Sequence, residues 1–339
     1  MPRHTHDPGW RCDLGVIGAG PCGLAAGIAA QRAGLSCILF DQGCVASSIS
    51  QYPTWMTFFS TAERLEIGGV PFVVAGDKPT RREALRYYQR LAREYQLDVH
   101  QYEPVLEAGG AAGDFRVRTR VRDADLRDYR CRNLVIATGY FDSPNLLGIP
   151  GEQLSKVAHA YREAHVYFDQ DVVVVGGGNS AVDAALELHH WGARVTIVHF
   201  LPALDPNVKP WIRPEIEARL RDGSISAHFG ARLAEVRPHS VIVEHAATGE
   251  REELPNDWVL AMTGYTPDGR LLRALGVVFD PVTGIPRHDP DTMETNVPGV
   301  FIAGVLSAGY NANKVFIENG RDHGARVVAA IAAARGGAS

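Results

Sequence analysis

Leu14-Gly15-Val16-Ile17-Gly18-Ala19-Gly20-Pro21-Cys22-Gly23 is the stretch that decides the fold of this chain. An apolar run ends in a glycine turn, and the small residues from Leu24 to Ala33 continue as a helix. A buried strand that turns on glycines into a helix presents bare N–H groups and the positive helix end to a pyrophosphate, and only glycine allows that close approach. Ile38-Leu39-Phe40 forms the next strand and ends at Asp41, an acid placed to bind both ribose hydroxyls of an adenosine. Strand, turn, helix, strand and terminal acid together specify a dinucleotide site. Its binding set is Gly18, Gly20, Pro21, Cys22, Gly23 and Asp41, joined by Gln42, Ser48 and Val105.

The pattern recurs downstream. The strand Val172 to Val175 runs into Gly176-Gly177-Gly178-Asn179-Ser180-Ala181, followed by a helix to Trp191 and a strand from Arg194 to Val198. Gly176, Gly178, Asn179 and Ser180 are the candidates for a second dinucleotide, and two such sites imply electron transfer between two cofactors. Between the turns, Thr80 and Glu83 form a capping box opening a helix to about Tyr95, and Leu97 to Val99 is a strand. Phe115, Val117 and Thr119 alternate as a small antiparallel sheet. The apolar run from Asn133 ends in Thr138-Gly139, where the backbone can pass close to the first cofactor. Pro144 and Pro150-Gly151 mark a crossing into the second unit, which closes with Trp258 to Met262 and Thr263-Gly264.

A third glycine-bearing strand, Gly299 to Gly304, precedes a helix taking in Val315 to Ile331. The second unit is already complete, so this strand returns to the first. The expected fold is α/β, with two Rossmann-like dinucleotide-binding domains of the three-layer β-β-α and α-β-α types. Residues 148–264 form the inserted domain, and residues 1–147 with 265–339 form the other.

Length and charge agree. At 339 residues the chain suits two domains of about 150. A net charge of −5 gives no electrostatic reason to expect nucleic acid or an anionic membrane. No apolar stretch reaches membrane-spanning length and Met1 to Trp10 is polar, so a cytoplasmic protein is expected. The five cysteines show neither Cys-x-x-Cys nor zinc spacing.

The order of fingerprint, Ala137-Thr138-Gly139, second fingerprint, Thr263-Gly264-Tyr265-Thr266-Pro267-Asp268 and Gly299-Val300-Phe301-Ile302-Ala303-Gly304 resembles the two-dinucleotide flavoproteins of thioredoxin-reductase size. More specific stretches resemble the YpdA family of bacillithiol disulfide reductases. They are Gly20-Pro21-Cys22-Gly23, Tyr52-Pro53-Thr54, Thr57-Phe58-Phe59-Ser60, Val70-Pro71-Phe72, Tyr167-Phe168-Asp169-Gln170-Asp171, Lys209-Pro210-Trp211-Ile212 and Phe316-Ile317-Glu318-Asn319-Gly320. The likeness spans essentially the whole chain. It implies an FAD enzyme that takes hydride from NADPH, with NADH as the other nicotinamide, and reduces the disulfide of a low-molecular-weight thiol. A homo-oligomer is the expected assembly. Coenzyme A disulfide, ferredoxin or oxygen are alternative acceptors, and a slow flavin-bearing redox sensor is an alternative role.

With no Cys-x-x-Cys, the candidate nucleophile is Cys22, where the start of the first helix favours a thiolate. The other reading of Cys22 is a small packing residue. Cys12 and Cys37 flank strands and read as core, while Cys44 lies in the turn after Asp41. The aromatic segment Tyr52, Trp55, Phe58, Phe59 and Phe72 reads either as a wall against the flavin ring or as a packed loop. Lys78, Arg81 and Arg82 open a helix against its dipole, either to bind substrate anions or as a solvated face. No acid follows the strand ending at Val198, which favours NADPH, with His199, Lys209 or Arg213 neutralising the 2′-phosphate. Gly304 is followed by Val305 rather than aspartate, so binding there would use backbone groups and Asn311, Asn313 or Lys314.

Overall fold

The strand that feeds the first glycine turn lies in the middle of a sheet, flanked by parallel neighbours on both sides. The computed structural model describes residues 11–122, 125–311 and 314–336. Asn313 and the polar N-terminal residues Met1 to Trp10 lie outside these. In chain order the strands are β1 (Arg11–Ile17), β2 (Cys37–Phe40), β3 (Asp98–His100), β4 (Val105–Ala111), β5 (Asp114–Val121) and β6 (Asp125–Ile136). There follow β7 (Val157–Ala158), β8 (Asp171–Val175), β9 (Arg194–His199), β10 (Ser226–Phe229) and β11 (Ala231–Val236). The last are β12 (Ser240–His245), β13 (Arg251–Pro255), β14 (Trp258–Ala261) and β15 (Val300–Ile302). The helices are α1 (Pro21–Arg32), α2 (Ser47–Ser50), α3 (Ala62–Leu65), α4 (Arg81–Glu94), α5 (Asn179–His190), α6 (Arg213–Asp222), α7 (Arg270–Ala274), α8 (Ile317–Gly320) and α9 (His323–Gly336).

Two units divide the chain. The described residues of Met1–Ser50, Met56–Ser143 and Tyr265–Ser339 form the first, and Gln51–Trp55 with Pro144–Gly264 form the second. The segment Gln51–Trp55 was expected with the first unit; the Thr54 N–H instead donates to the Arg162 carbonyl at 2.8 Å. In the first unit the sheet order is β3-β2-β1-β6-β5-β4, with β15 also pairing β6. Leu14, Val16, Ile38 and Leu39 are fully buried there, each contributing on the order of 1.5–3 kcal/mol relative to exposure. Gly324 of α9 lets that helix sit on α1, since a Cβ would come within 2.5 Å of the Ala26 backbone.

Two elements differ from the sequence reading. The apolar run at Asn133 is the second half of one long strand: the first half of β6 pairs antiparallel with β5, and the second half runs parallel to β15. The single helix expected over Val315 to Ile331 is two, α8 and α9. Asn319 caps the start of α8, accepting from the Phe316 N–H and donating to the Lys314 carbonyl, both at 2.8 Å.

The second unit holds an all-parallel sheet, β10-β9-β8-β14-β7, and an antiparallel sheet, β11-β12-β13. One apolar core packs α5 and α6 on the parallel sheet. Another fills the other face, with Val173, Val175, Val198 and Val259 against Val241 and Val243.

Candidate active site

Each glycine of the first turn has its own reason. A Cβ at Gly18, which sits at φ +111°, would lie 2.3 Å from the Ala137 carbonyl oxygen, and one at Gly23 would lie 1.9 Å from the Gly18 oxygen. Folding alone therefore requires those two. A Cβ at Gly20 meets nothing within 4 Å, so packing within the protein gives no reason for glycine there, whereas a ligand lying against the turn does. Gly20 is also the N-cap of α1, with Pro21 following, no side-chain cap and no acid in the first turn. By contrast α4 carries the expected Thr80–Glu83 capping box.

Asp41 serves the turn directly. Its Oδ2 accepts from the Ala19 N–H at 2.7 Å and its Oδ1 from the Gly43 N–H at 2.8 Å. Burial raises its pKa against the pull of those two bonds. Each carboxylate oxygen keeps a lone-pair direction for a ribose hydroxyl. The Thr138 hydroxyl is buried with no hydrogen-bond partner, and Gly139 follows at φ +71°. An open Gly20, an uncapped helix, a half-used carboxylate and an orphaned hydroxyl fit an adenine dinucleotide. Of the other expected residues, Ser48 and Val105 are half-buried, and Gln42 and Lys314 are exposed.

A buried ion pair that the sequence reading missed fixes Asp41 from behind. The Asp41 N–H donates to the His100 carbonyl, and the Asp41 carbonyl accepts from the Glu103 N–H. His100 Nδ1 lies 2.9 Å from Glu103 Oε2, while the Thr119 and Tyr129 hydroxyls donate to Glu103 Oε1, each at 2.7 Å. Burial alone would lower the pKa of His100, but hydrogen bonds to Asp98 and Glu103 raise it to about 9. Burial alone would raise Glu103, but bonds from His100, Thr119 and Tyr129 bring it down to about 2.

Cys22 opens α1 as expected, but its surroundings reverse the expected acidity. Its sulfur packs where a Cβ on Gly304 or Gly320 would come within 3.0 Å, and burial pushes the thiol up to about 12. Gly304, at φ +75°, donates its N–H to His323 Nδ1 at 3.1 Å, and burial holds His323 neutral with a pKa of about 4. Cys12 is buried, as read from the sequence, with its thiol 3.1 Å from that of Cys131; Cys37 is only half-buried.

In the second turn, a Cβ at Gly176 would lie 2.5 Å from the Met262 oxygen, and one at Gly177 would strike the His199 ring. Gly178 is the N-cap of α5, again with no side-chain cap and no acid in the first turn, and Ser180 beside it is exposed. Asn179 also ties the following loop to the turn, its Oδ1 accepting from the Lys209 N–H and its Nδ2 donating to the Asn207 carbonyl. Thr263 and Gly264 are likewise bonded to Asn145.

His199 needs correction as a phosphate cation. It is 3% exposed, neither ring nitrogen has a partner, and burial lowers its pKa despite Asp205 at 3.9 Å. A neutral buried imidazole supplies no positive charge. Arg232, which the sequence reading passed over, is exposed and lies 4.7 Å over the Phe200 ring, beside the strand end. Lys209 lies 5.8 Å over the Trp211 ring. Arg213 is engaged with the Asp205 carbonyl at 2.7 Å.

The cations at the start of α4 divide in the same way. Arg81 donates to the Ile49 and Ser50 carbonyls at the end of α2, which accounts for a positive charge at a helix start, while Lys78 and Arg82 are exposed. The aromatic segment is not one wall. Phe58 and Phe72 are buried, Phe72 stacking on Tyr87 at 4.1 Å, whereas Trp55 and Phe59 are exposed. Near the FIENG motif, the Ser60 hydroxyl donates to Glu318, and Arg64 pairs with it at 3.1 Å.

Comparison with known proteins agrees with this geometry. Residues 16–304 match the family model described as pyridine nucleotide-disulphide oxidoreductase. The chain is 46% identical over 319 residues to bacilliredoxin reductase Bdr of Bacillus subtilis, covering 94% of this chain and 96% of that one. It is similar to the solved structure of bacillithiol disulfide reductase Bdr (YpdA) from Bacillus cereus, with 46% identity, a TM-score of 0.93 and coverage of 96% and 100% of the two chains. The Staphylococcus aureus structure of the same name gives 40% identity, a TM-score of 0.89 and coverage of 96% and 99%. The chain belongs to the bacillithiol disulfide reductase family of FAD- and NAD(P)H-dependent pyridine nucleotide-disulphide oxidoreductases.

Proposed function

We propose that this protein uses NADPH to reduce bacillithiol disulfide, with FAD held by the first unit and the nicotinamide dinucleotide by the second. The observation that carries this is the pair of glycine turns opening uncapped helices, α1 and α5, in a chain without a Cys-x-x-Cys. The disulfide acceptor is taken from the relatives, which are 46% and 40% identical to this chain and are bacillithiol disulfide reductases by name. Bound FAD would supply the two-electron redox chemistry that links the nicotinamide to the disulfide. The overall reaction converts NADPH, a proton and one disulfide into NADP⁺ and two thiols.

The chain's own residues bind and orient. Gly18, Gly20, Pro21, Gly23, Asp41, Thr138, Gly139 and Gly304 hold the FAD, with Gln42, Ser48, Val105, Asn313 and Lys314 around its edges. Gly176, Gly178, Asn179, Ser180, Thr263 and Gly264 hold the nicotinamide dinucleotide. Lys209 and Arg232 provide the positive charge for the 2′-phosphate. Cys22 is the nucleophile, resting as a protonated thiol under Gly304 and Gly320 and losing its proton only when substrate changes its surroundings. Among the described residues no helix is long and apolar enough to cross a membrane. From the family resemblance we place the protein in the reducing cytoplasm as a homo-oligomer.

A second reading follows from the name of the Bacillus subtilis relative, in which a bacilliredoxin is the oxidised partner. NADPH oxidation by the purified protein, measured with bacillithiol disulfide, oxidised bacilliredoxin, coenzyme A disulfide, ferredoxin and air alone, separates these. The proposal expects the bacillithiol disulfide to accelerate turnover most. Equal rates with every addition, matching air, would leave a slow flavin-bearing sensor.

A further inference from the structure

The second unit carries a cluster of metal-ligating side chains unconnected with its glycine turn. His228 of β10, His245 at the end of β12 and Glu252 of β13 each offer one ligand atom, all within 4.8 Å of one another. Register puts them there. Glu252 pairs with Val243, two residues before His245, so Glu252 and His245 share one face of the antiparallel sheet. Gly230, at φ +65°, turns the chain between β10 and β11, and its carbonyl accepts from the Ala246 N–H, which brings His228 to the same rim.

The charges around the hairpin single out Glu252. Glu244 pairs with Arg251 at 2.6 Å, and Glu253 pairs with Arg237 at 3.1 Å and accepts from Ser240. Glu252 instead faces His228, Oε2 to Nδ1, at 3.7 Å. That distance is too long for a hydrogen bond. It is close to the roughly 3.4 Å between two ligands on a tetrahedral zinc ion. The two imidazoles are tilted by 54° with centroids 5.6 Å apart, so they are not stacked. Both histidines are partly buried and Glu252 is exposed, so the cluster is open to an ion from solvent.

We propose that His228, His245 and Glu252 form a binding site for one divalent transition-metal ion, zinc being the best fit. Two imidazoles and one carboxylate suit zinc rather than calcium or magnesium, which take oxygen ligands. Three protein ligands leave the fourth tetrahedral position to water. The ion fastens the β12–β13 hairpin to β10, the edge strand of the parallel sheet, so its effect is on the stability of the second unit.

The test uses the flavin-loaded protein, stripped with a chelator and titrated with Zn²⁺ against a chromophoric competitor. One equivalent should bind to the wild type, and added Zn²⁺ should raise the melting temperature. His228→Ala, His245→Ala and Glu252→Gln should each weaken binding by more than about tenfold, the scale seen even for groups that only support a ligand. NADPH-driven bleaching of the flavin in each variant, which needs the nicotinamide site of the second unit, reports that this unit is folded, and Cys44→Ser controls for thiolate binding. Loss of the equivalent in Cys44→Ser, unchanged affinity in the three ligand variants, or no binding to wild type at about 100 μM would each overturn the proposal.

Discussion

Cys22→Ala exposes the mechanism most directly. Burial pushes the Cys22 thiol up to about 12, so at neutral pH it rests protonated. Two results follow. Resting Cys22 should resist alkylation at pH 7 to 9, and adding disulfide substrate should speed its modification or trap it as a mixed disulfide. Cys22→Ala should abolish disulfide reduction while leaving NADPH-driven bleaching of the flavin nearly intact, because only the second half-reaction needs the thiol. The lost sulfur beside Gly304 and Gly320 should cost about 1 kcal/mol of stability. Removal of a nucleophile, by comparison, should cost several orders of magnitude in rate. Stopped-flow flavin absorbance follows each half-reaction alone. If Cys22→Ala reduces the disulfide at close to the wild-type rate, Cys22 is a packing residue and its place in the mechanism is refuted.

Three further predictions concern the cofactors and the scaffold. Gly23→Ala should unfold or fail to express, since its Cβ would lie 1.9 Å from the Gly18 oxygen, whereas Gly20→Ala should melt normally without FAD yet bind FAD more than about tenfold less tightly; equal stability losses would contradict the ligand-based reading of Gly20. Lys209→Ala and Arg232→Ala should raise KM for NADPH with little change for NADH, and a preference untouched in both variants moves the phosphate site elsewhere. The His100–Glu103 pair should make stability depend on pH. The raised pKa of His100 gives stability that is full below 6.5 and lost as pH rises through about 9, and the lowered pKa of Glu103 gives stability that is full above 4.5 and lost as pH falls through about 2. The difference between wild type and Glu103→Gln in urea melts should therefore peak between pH 4.5 and 6.5 and shrink above pH 9; a constant difference would show that the pair is not what Glu103 contributes.

Local chemistry was legible in the sequence, and long-range burial was not. The path from β1 through the turn and α1 to β2 and Asp41 could be read because each signal lies within a few residues of the next. The first half of β6 could not, because Arg127, Asp128, Arg130 and Arg132 hide the inward alternation of Tyr129 and Cys131. Cys22 was correctly placed at the start of a helix, yet the sign of its pKa shift depends on Gly304 and Gly320, which arrive from the far end of the chain. His199 had the right chemistry for a phosphate and the wrong exposure, since Gly177 gives it a place to bury. The His100–Glu103–Tyr129 network comes together only through sheet pairing, and Arg232 reaches Phe200 from a strand of the other sheet, so no local spacing announces either.

The most direct test of the central claim is the stoichiometry of anaerobic turnover with bacillithiol disulfide. Thiol release and NADPH consumption are measured in the same reaction, with enzyme at catalytic concentration. About two thiols should be released per NADPH oxidised, at a rate far above that without the disulfide. NADPH consumption that does not respond to the disulfide, or that proceeds without release of thiol, would contradict the claim.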